Sequence, residues 1–129
     1  MSIQQIRCMK RETKEYIMNV YTYETSGGKD LIRDFLDGLP SKESAEGYLI
    51  LEMLEEKGTD FLHSINTRQL EGKLWEIKFY RHNRIIYVLV DQESIYLLHA
   101  CKKQKSKAEK FELDKARKRA AELFNMLGK

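Results

Sequence analysis

Cysteine, proline and long apolar stretches are all scarce in this 129-residue chain, and each scarcity excludes something. The two cysteines, Cys8 and Cys101, lie 93 positions apart with no CxxC spacing. That count excludes a disulfide framework and a cysteine-rich zinc site, and two reduced thiols are expected. The one proline, Pro40, falls between two helical patterns. The longest apolar runs, such as Ile85–Val90, span six residues, far short of the roughly 20 needed to cross a bilayer. Met1–Arg11 lacks the apolar core of a signal peptide, so a cytoplasmic protein with no membrane partner is expected. There is no Walker A sequence, no GxGxxG and no HExxH. His63, His82 and His99 have no ligand-like spacing. Neither a cofactor nor a metal is expected.

What is present describes one soluble domain. Hydrophobic residues make up 42% and charged residues 33% of the chain, enough apolar matter to bury roughly two-thirds of the unfolded surface. The net charge of +3 is unevenly spread. Residues 1–101 hold 13 Lys/Arg against 16 Asp/Glu, whereas residues 102–129 hold 10 Lys/Arg against Glu109, Glu112, Asp114 and Glu122. A basic tail of this kind suits a polyanion or an acidic partner protein. It equally suits the wet face of a packed helix, and charge alone leaves both readings open.

Hydrophobic periodicity orders the elements. Residues 1–14 form a polar leader, a flexible arm or an added edge element, and residues 15–129 form the domain. Tyr16–Tyr23 is aromatic and β-branched and reads as a strand broken by Ser26-Gly27-Gly28. Leu31, Ile32, Phe35 and Leu36 share one face of a short helix that Gly38 and Pro40 end. Ser41 is a good N-cap for a second helix running to Gly58, and the two read as an αα-hairpin. From Arg68 the period becomes two. Leu74–Tyr80, Arg84–Val90 and Ser94–Ala100 are closely linked and predict an antiparallel meander. Its Trp75-Ile77-Phe79 face is expected to pack on the helices and its Lys78 face to meet solvent or substrate. Leu113, Ala116, Ala120, Leu123, Phe124 and Leu127 mark a C-terminal helix whose Lys115–Arg119 stretch is expected to be solvated. The fold class is therefore α+β, in the order β-α-α-β-β-β-α.

One constellation can carry chemistry. Lys78, Arg81 and Arg84, then Lys102 and Lys103, surround the meander with Tyr80, Tyr87 and Tyr96 interleaved. Cations bind phosphate and aromatic faces stack on unpaired bases, so the mixture suits single-stranded nucleic acid. It also suits cleavage by an internal 2′-hydroxyl, which needs a base, cationic stabilisation of the phosphate and help for the leaving oxygen. A solvated strand face is the plain alternative.

Four segments in order carry a resemblance. Leu70-Glu71-Gly72-Lys73-Leu74-Trp75-Glu76-Ile77-Lys78 resembles the L-x-G-x-LWE-[LI]-[RK] strand of HigB-like toxins, the phage-derived branch of the RelE/ParE superfamily of type II toxin–antitoxin systems. Arg84-Ile85-Ile86-Tyr87 is similar to their R-[IV]-x-Y strand, and Leu97–Lys103 to LLHGF-x-KK with one residue fewer before the lysines. Glu112–Arg119 matches E-[IL]-x-x-A-x-x-R. Ala100-Cys101 replaces the usual Gly-Phe, and the proline common before the last helix is missing, with Ala108 nearby.

The resemblance implies a RelE-like fold: a small twisted sheet with a helical hairpin and a C-terminal helix. It also implies a metal-free endoribonuclease that cuts mRNA on the ribosome and is neutralised by a cognate helix-turn-helix antitoxin. On this implication Lys78 stabilises the phosphate or acts as base and Arg84 clamps the scissile phosphate. His99 and Tyr87 are further catalytic candidates. Arg81, Lys102, Lys103 and Lys105 would bind the RNA backbone or ribosomal RNA. A ParE-type inhibitor of DNA gyrase and a degenerate prophage antitoxin- or nucleic-acid-binding module are the alternatives.

Overall fold

A computed structural model describes residues 2–5, 17–103 and 106–128. Most of the expected leader, with Cys8, and Lys105 of the basic segment lie outside the described residues. The chain runs β1 (Ser2–Gln5), β2 (Asn19–Glu24), α1 (Leu31–Asp37), α2 (Ser41–Lys57), α3 (Thr59–Ser64), β3 (Thr67–Glu71), β4 (Leu74–Phe79), β5 (Asn83–Asp91), β6 (Ser94–Lys102) and α4 (Ser106–Met126). The α+β order β-α-α-β-β-β-α is present, with β1, α3 and β3 as short additions. Each addition is six residues or fewer, too short to generate a periodic signal in the sequence.

The strands form one mixed sheet in the order β1-β2-β6-β5-β4-β3. The β3 to β6 ladders are antiparallel, as the tight connections require. Strand β2 instead lies parallel to β6, pairing Asn19 with Ser94 and Thr22 with Leu97. The intervening helices and strands make that long return possible.

Helix α1 begins where Asp30 accepts hydrogen bonds from the backbone N–H groups of Ile32 and Arg33. The other carboxylate oxygen accepts from Thr22 Oγ1 at 2.7 Å, which ties the helix start to β2. Helix α2 starts at Ser41, with Pro40 rather than Ser41 in the capping position. Gly47 in its second turn lets α2 approach α1 closely, since a Cβ there would lie 2.4 Å from Leu36 Cδ2. Gly58 ends α2 at φ +62° and turns the chain directly into α3.

Both faces of the sheet are covered. Ile77, Phe79, Ile85, Tyr87, Ile95 and Leu97 bury themselves against Ile32, Leu36, Leu51 and Leu54 of α1 and α2. On the opposite face Leu74, Ile86, Val88 and Leu98 pack on Ala116, Ala120 and Leu123 of α4. The expectation that the Lys78 face stays open is thus corrected. Its own strand alternates polar residues there, but neighbouring β5 contributes Ile86 and Val88, and together they make an apolar strip that α4 covers. Trp75 is also corrected: it lies near the edge of the helix-packed face and stays 37% exposed.

Candidate functional site

Three residues stand in one cross-strand row on the α4 face. Lys78 pairs with Arg84, and Arg84 pairs with Cys101. One row inward, Glu76 pairs with Ile86, and Ile86 with His99. Between His99 and Leu97 the register slips, so that Leu98 is an extra residue opposite Ile86. Such a bulge aims neighbouring side chains toward one face, and both Leu98 and His99 meet α4. A sequence read as strict alternation places His99 with Leu97 in the helix-hairpin core; the bulge puts it beneath α4 instead.

Arg84 is only 6% exposed. Its Nη1 donates to both oxygens of the buried Glu76, at 3.0 and 3.2 Å, and lies 3.7 Å from Glu109. Arg68 Nη2 donates to the same Glu76 at 3.0 Å. The Nε of Arg84 is buried and has no hydrogen-bond partner among the described residues. An unfilled donor on a buried cation is costly unless something else fills it.

A cleft of about 270 Å³ opens between the ends of β4, β5 and β6 and the start of α4. Arg68, Arg84, Lys102, Lys103 and Lys110 line it, with the carboxylates of Glu76, Glu109 and Glu112 and the Cys101 thiol. In the β4–β5 turn Tyr80 (φ 48°) and Arg81 (φ 61°) adopt left-handed backbone without glycine. Each such residue costs roughly 1–2 kcal/mol, and strain of this kind tends to collect where function holds it. Lys103 N–H donates to His82 O and fastens the turn to the end of β6. A larger, more open depression lined by Tyr23, Glu122 and Met126 offers no cationic side chain.

Helix α4 supplies the inner wall. His99 is buried between two of its residues: Nε2 lies 2.5 Å from a Glu112 oxygen, and Arg119 Nη1 lies 2.9 Å from Nδ1. Arg119 also donates to Leu98 O at 2.9 Å and covers the Tyr23 ring at 4.2 Å. The expected solvated run Lys115–Arg119 is therefore corrected at its last member, which turns onto the sheet. Burial lowers the His99 pKa, with Arg119 and Lys115 adding to that effect and Glu112 opposing it. Burial, then the neighbouring Glu112, pushes the Cys101 thiol up to about 12. For Glu112 burial acts upward, but hydrogen bonds from His99 and Cys101 and the charges of His99 and Lys115 prevail and lower it. The arrangement is a neutral imidazole and a neutral thiol around a carboxylate.

His99, Cys101 and Glu112 bring one ligand atom each within 4.8 Å of one another. They fit a metal ion poorly. A histidine ligand normally gives its second ring N–H to an acceptor, whereas Nδ1 here faces the guanidinium of Arg119, which only donates.

The structure therefore gathers Arg84 and Lys103 at one cleft, with Lys78 beside Arg84 on the sheet and Arg81 on the adjoining turn, whereas Lys102, at the cleft's edge, holds its Nζ 3.5 Å from Asn83 Oδ1 and 3.9 Å from Glu43 of α2. Tyr87 is not brought there. It lies in the opposite core, 3% exposed, and burial raises its hydroxyl to about 12. Sequence reasoning missed Glu76, Glu112 and Arg119 as functional neighbours. For Glu112 and Arg119 the signal existed in the segment Glu112-x-x-x-Ala116-x-x-Arg119, whose spacing puts both on the helical face of the buried Ala116.

A family model described as Phage derived protein Gp49-like (DUF891) matches residues 34–121, about two-thirds of the chain. No match was found among curated proteins. The chain belongs to the Gp49-like family, within the HigB/RelE-like toxin group.

Proposed function

We propose that this Gp49-like protein is the toxin of a type II toxin–antitoxin pair and acts as an endoribonuclease on ribosome-bound mRNA. The observation that carries the reading is the cleft, where a buried arginine with an unfilled donor is ringed by exposed lysines. A phosphodiester carries a negative charge that grows more crowded in the transition state, and preorganised cations stabilise it there. Arg84 and Lys78 would hold the scissile phosphate. Lys102, Lys103 and Arg81 would engage neighbouring phosphates of mRNA or ribosomal RNA. Lys105, in the same basic segment, is assigned the same role. Tyr87 takes no part in this scheme, because its ring faces the helix hairpin.

The partner implied by the family is an antitoxin, and the basic surface suits one with an acidic segment. Among the described residues no helix is long and apolar enough to cross a membrane.

Induced expression tests the reading. Growth arrest with new 5′ ends inside translated mRNAs, relieved by co-expression of a neighbouring helix-turn-helix gene, is the expected outcome. Arrest with intact mRNA and altered DNA supercoiling would transfer the assignment to gyrase inhibition. No effect on growth would leave a binding module.

A further inference from the structure

We propose that Glu112 on α4 is the general base of the cleavage step and that His99 stands behind it as a positioning residue. The inference rests on the nuclease reading above. Both nitrogens of His99 are occupied. A guanidinium can only donate, so Nδ1 accepts from Arg119 and the ring proton resides on Nε2, directed at Glu112. No nitrogen of His99 is left for a substrate. Glu112, by contrast, lines the cleft. A carboxylate has about four acceptor positions, and His99 uses one of them.

The two other carboxylates of the cleft are less suited. Glu76 is out of solvent and held by Arg68 and Arg84, and Glu109 lies against Arg84. Of the three, only Glu112 carries no arginine partner among the described residues. It also sits near the right cation. Arg84 is the cross-strand partner of Cys101, and a Glu112 oxygen lies within 4.8 Å of the Cys101 sulfur, so the carboxylate and Arg84 border the same cleft.

A ribose phosphate entering the cleft would place its phosphate on Arg84 and its 2′-hydroxyl on Glu112. The hydroxyl proton passes to the Glu112 carboxylate as the 2′-oxygen bonds to phosphorus. The bond from phosphorus to the 5′-oxygen breaks, and that oxygen takes a proton from solvent. The products are a 2′,3′-cyclic phosphate and a 5′-hydroxyl, and Glu112 gives its proton to solvent, which balances the one taken by the 5′-oxygen.

The test is single-turnover cleavage of a defined mRNA on purified ribosomes, from pH 4 to 9, using the full chain. Glu112→Gln keeps an acceptor for His99 but cannot take a proton. Its rate should fall by at least about a hundred-fold, with ribosome binding and melting temperature unchanged and the acidic limb of the pH profile gone. His99→Gln should displace that limb while retaining cleavage. A Glu112→Gln rate near wild type at every pH would overturn the assignment. Should that variant melt below the assay temperature, Glu112→Asp decides: a displaced limb supports the base and an unmoved limb rejects it. Wild-type protein that cuts no mRNA removes the nuclease reading and the base with it, a failure distinct from an active Glu112→Gln.

Discussion

Arg84 and Glu76 sit diagonally across β5 and β4, with one guanidinium nitrogen within 3.2 Å of both carboxylate oxygens and both side chains shielded from water. A buried ion pair adds little net stability, yet removing one partner strands the other. Arg84→Met alone should therefore destabilise the protein by about 3 kcal/mol, Arg68 remaining to hold the carboxylate. The double variant Glu76→Leu/Arg84→Met should recover most of that loss in urea denaturation. A double variant as unstable as the single would sink the account. The pair also governs how activity tests are read: relief of growth arrest by Arg84→Ala counts for catalysis only if the stable double variant relieves it too.

The exposed lysines call for a different test. Lys103→Ala should change stability by less than about 0.5 kcal/mol, because its side chain faces water, and Lys102→Ala by up to about 1 kcal/mol, because its Nζ lies 3.5 Å from Asn83 Oδ1 and 3.9 Å from Glu43. Each lysine that meets a phosphate should lower the slope of log affinity against log salt by about 0.7 for single-stranded RNA. Titrations at several salt concentrations would show this, and an unchanged slope in the double variant would remove both from the interface.

Tyr87→Phe should leave cleavage essentially intact. A residue that passed a proton would cost at least about a hundred-fold on removal, and a rate loss of that size would contradict the core placement of Tyr87.

Stability should fall as the solution becomes acidic. The folded His99 pKa lies below its unfolded value of 6.5, so the unfolded chain binds the proton first. The contribution is complete above the unfolded value and is lost as pH drops from there toward the folded value. The slope from one such group cannot exceed about 1.4 kcal/mol per pH unit. Melting temperatures between pH 7 and 5 should show the decline, and His99→Gln should flatten it.

Gly47→Ala should cost about 1–3 kcal/mol through overpacking, because the new methyl would press on the buried Leu36 and lie 3.3 Å from Phe79. Chemical denaturation measures it; a neutral effect would mean α1 can shift away freely.

Much of this architecture was legible in the chain. Apolar spacing in residues 31–57 and 113–124 and alternation in residues 74–100 specify helices and strands, because those periods are properties of the local backbone. The family resemblance likewise follows from residues in order. The segments that escaped notice are short: α3 and β3 hold too few residues to show a period. The candidate site was legible only in part. Lys78, Arg84, Lys102 and Lys103 could be placed near one another because they lie on adjoining strands. Their environments could not, since pairing of Arg84 with Glu76 depends on strand register, and the turning of His99 depends on an extra residue at Leu98. Local sequence determined which elements form and which cations they carry. Only the tertiary structure decided that α4 lies over them, because that covering arises from apolar residues on three separate strands that form a continuous strip only once the sheet is assembled.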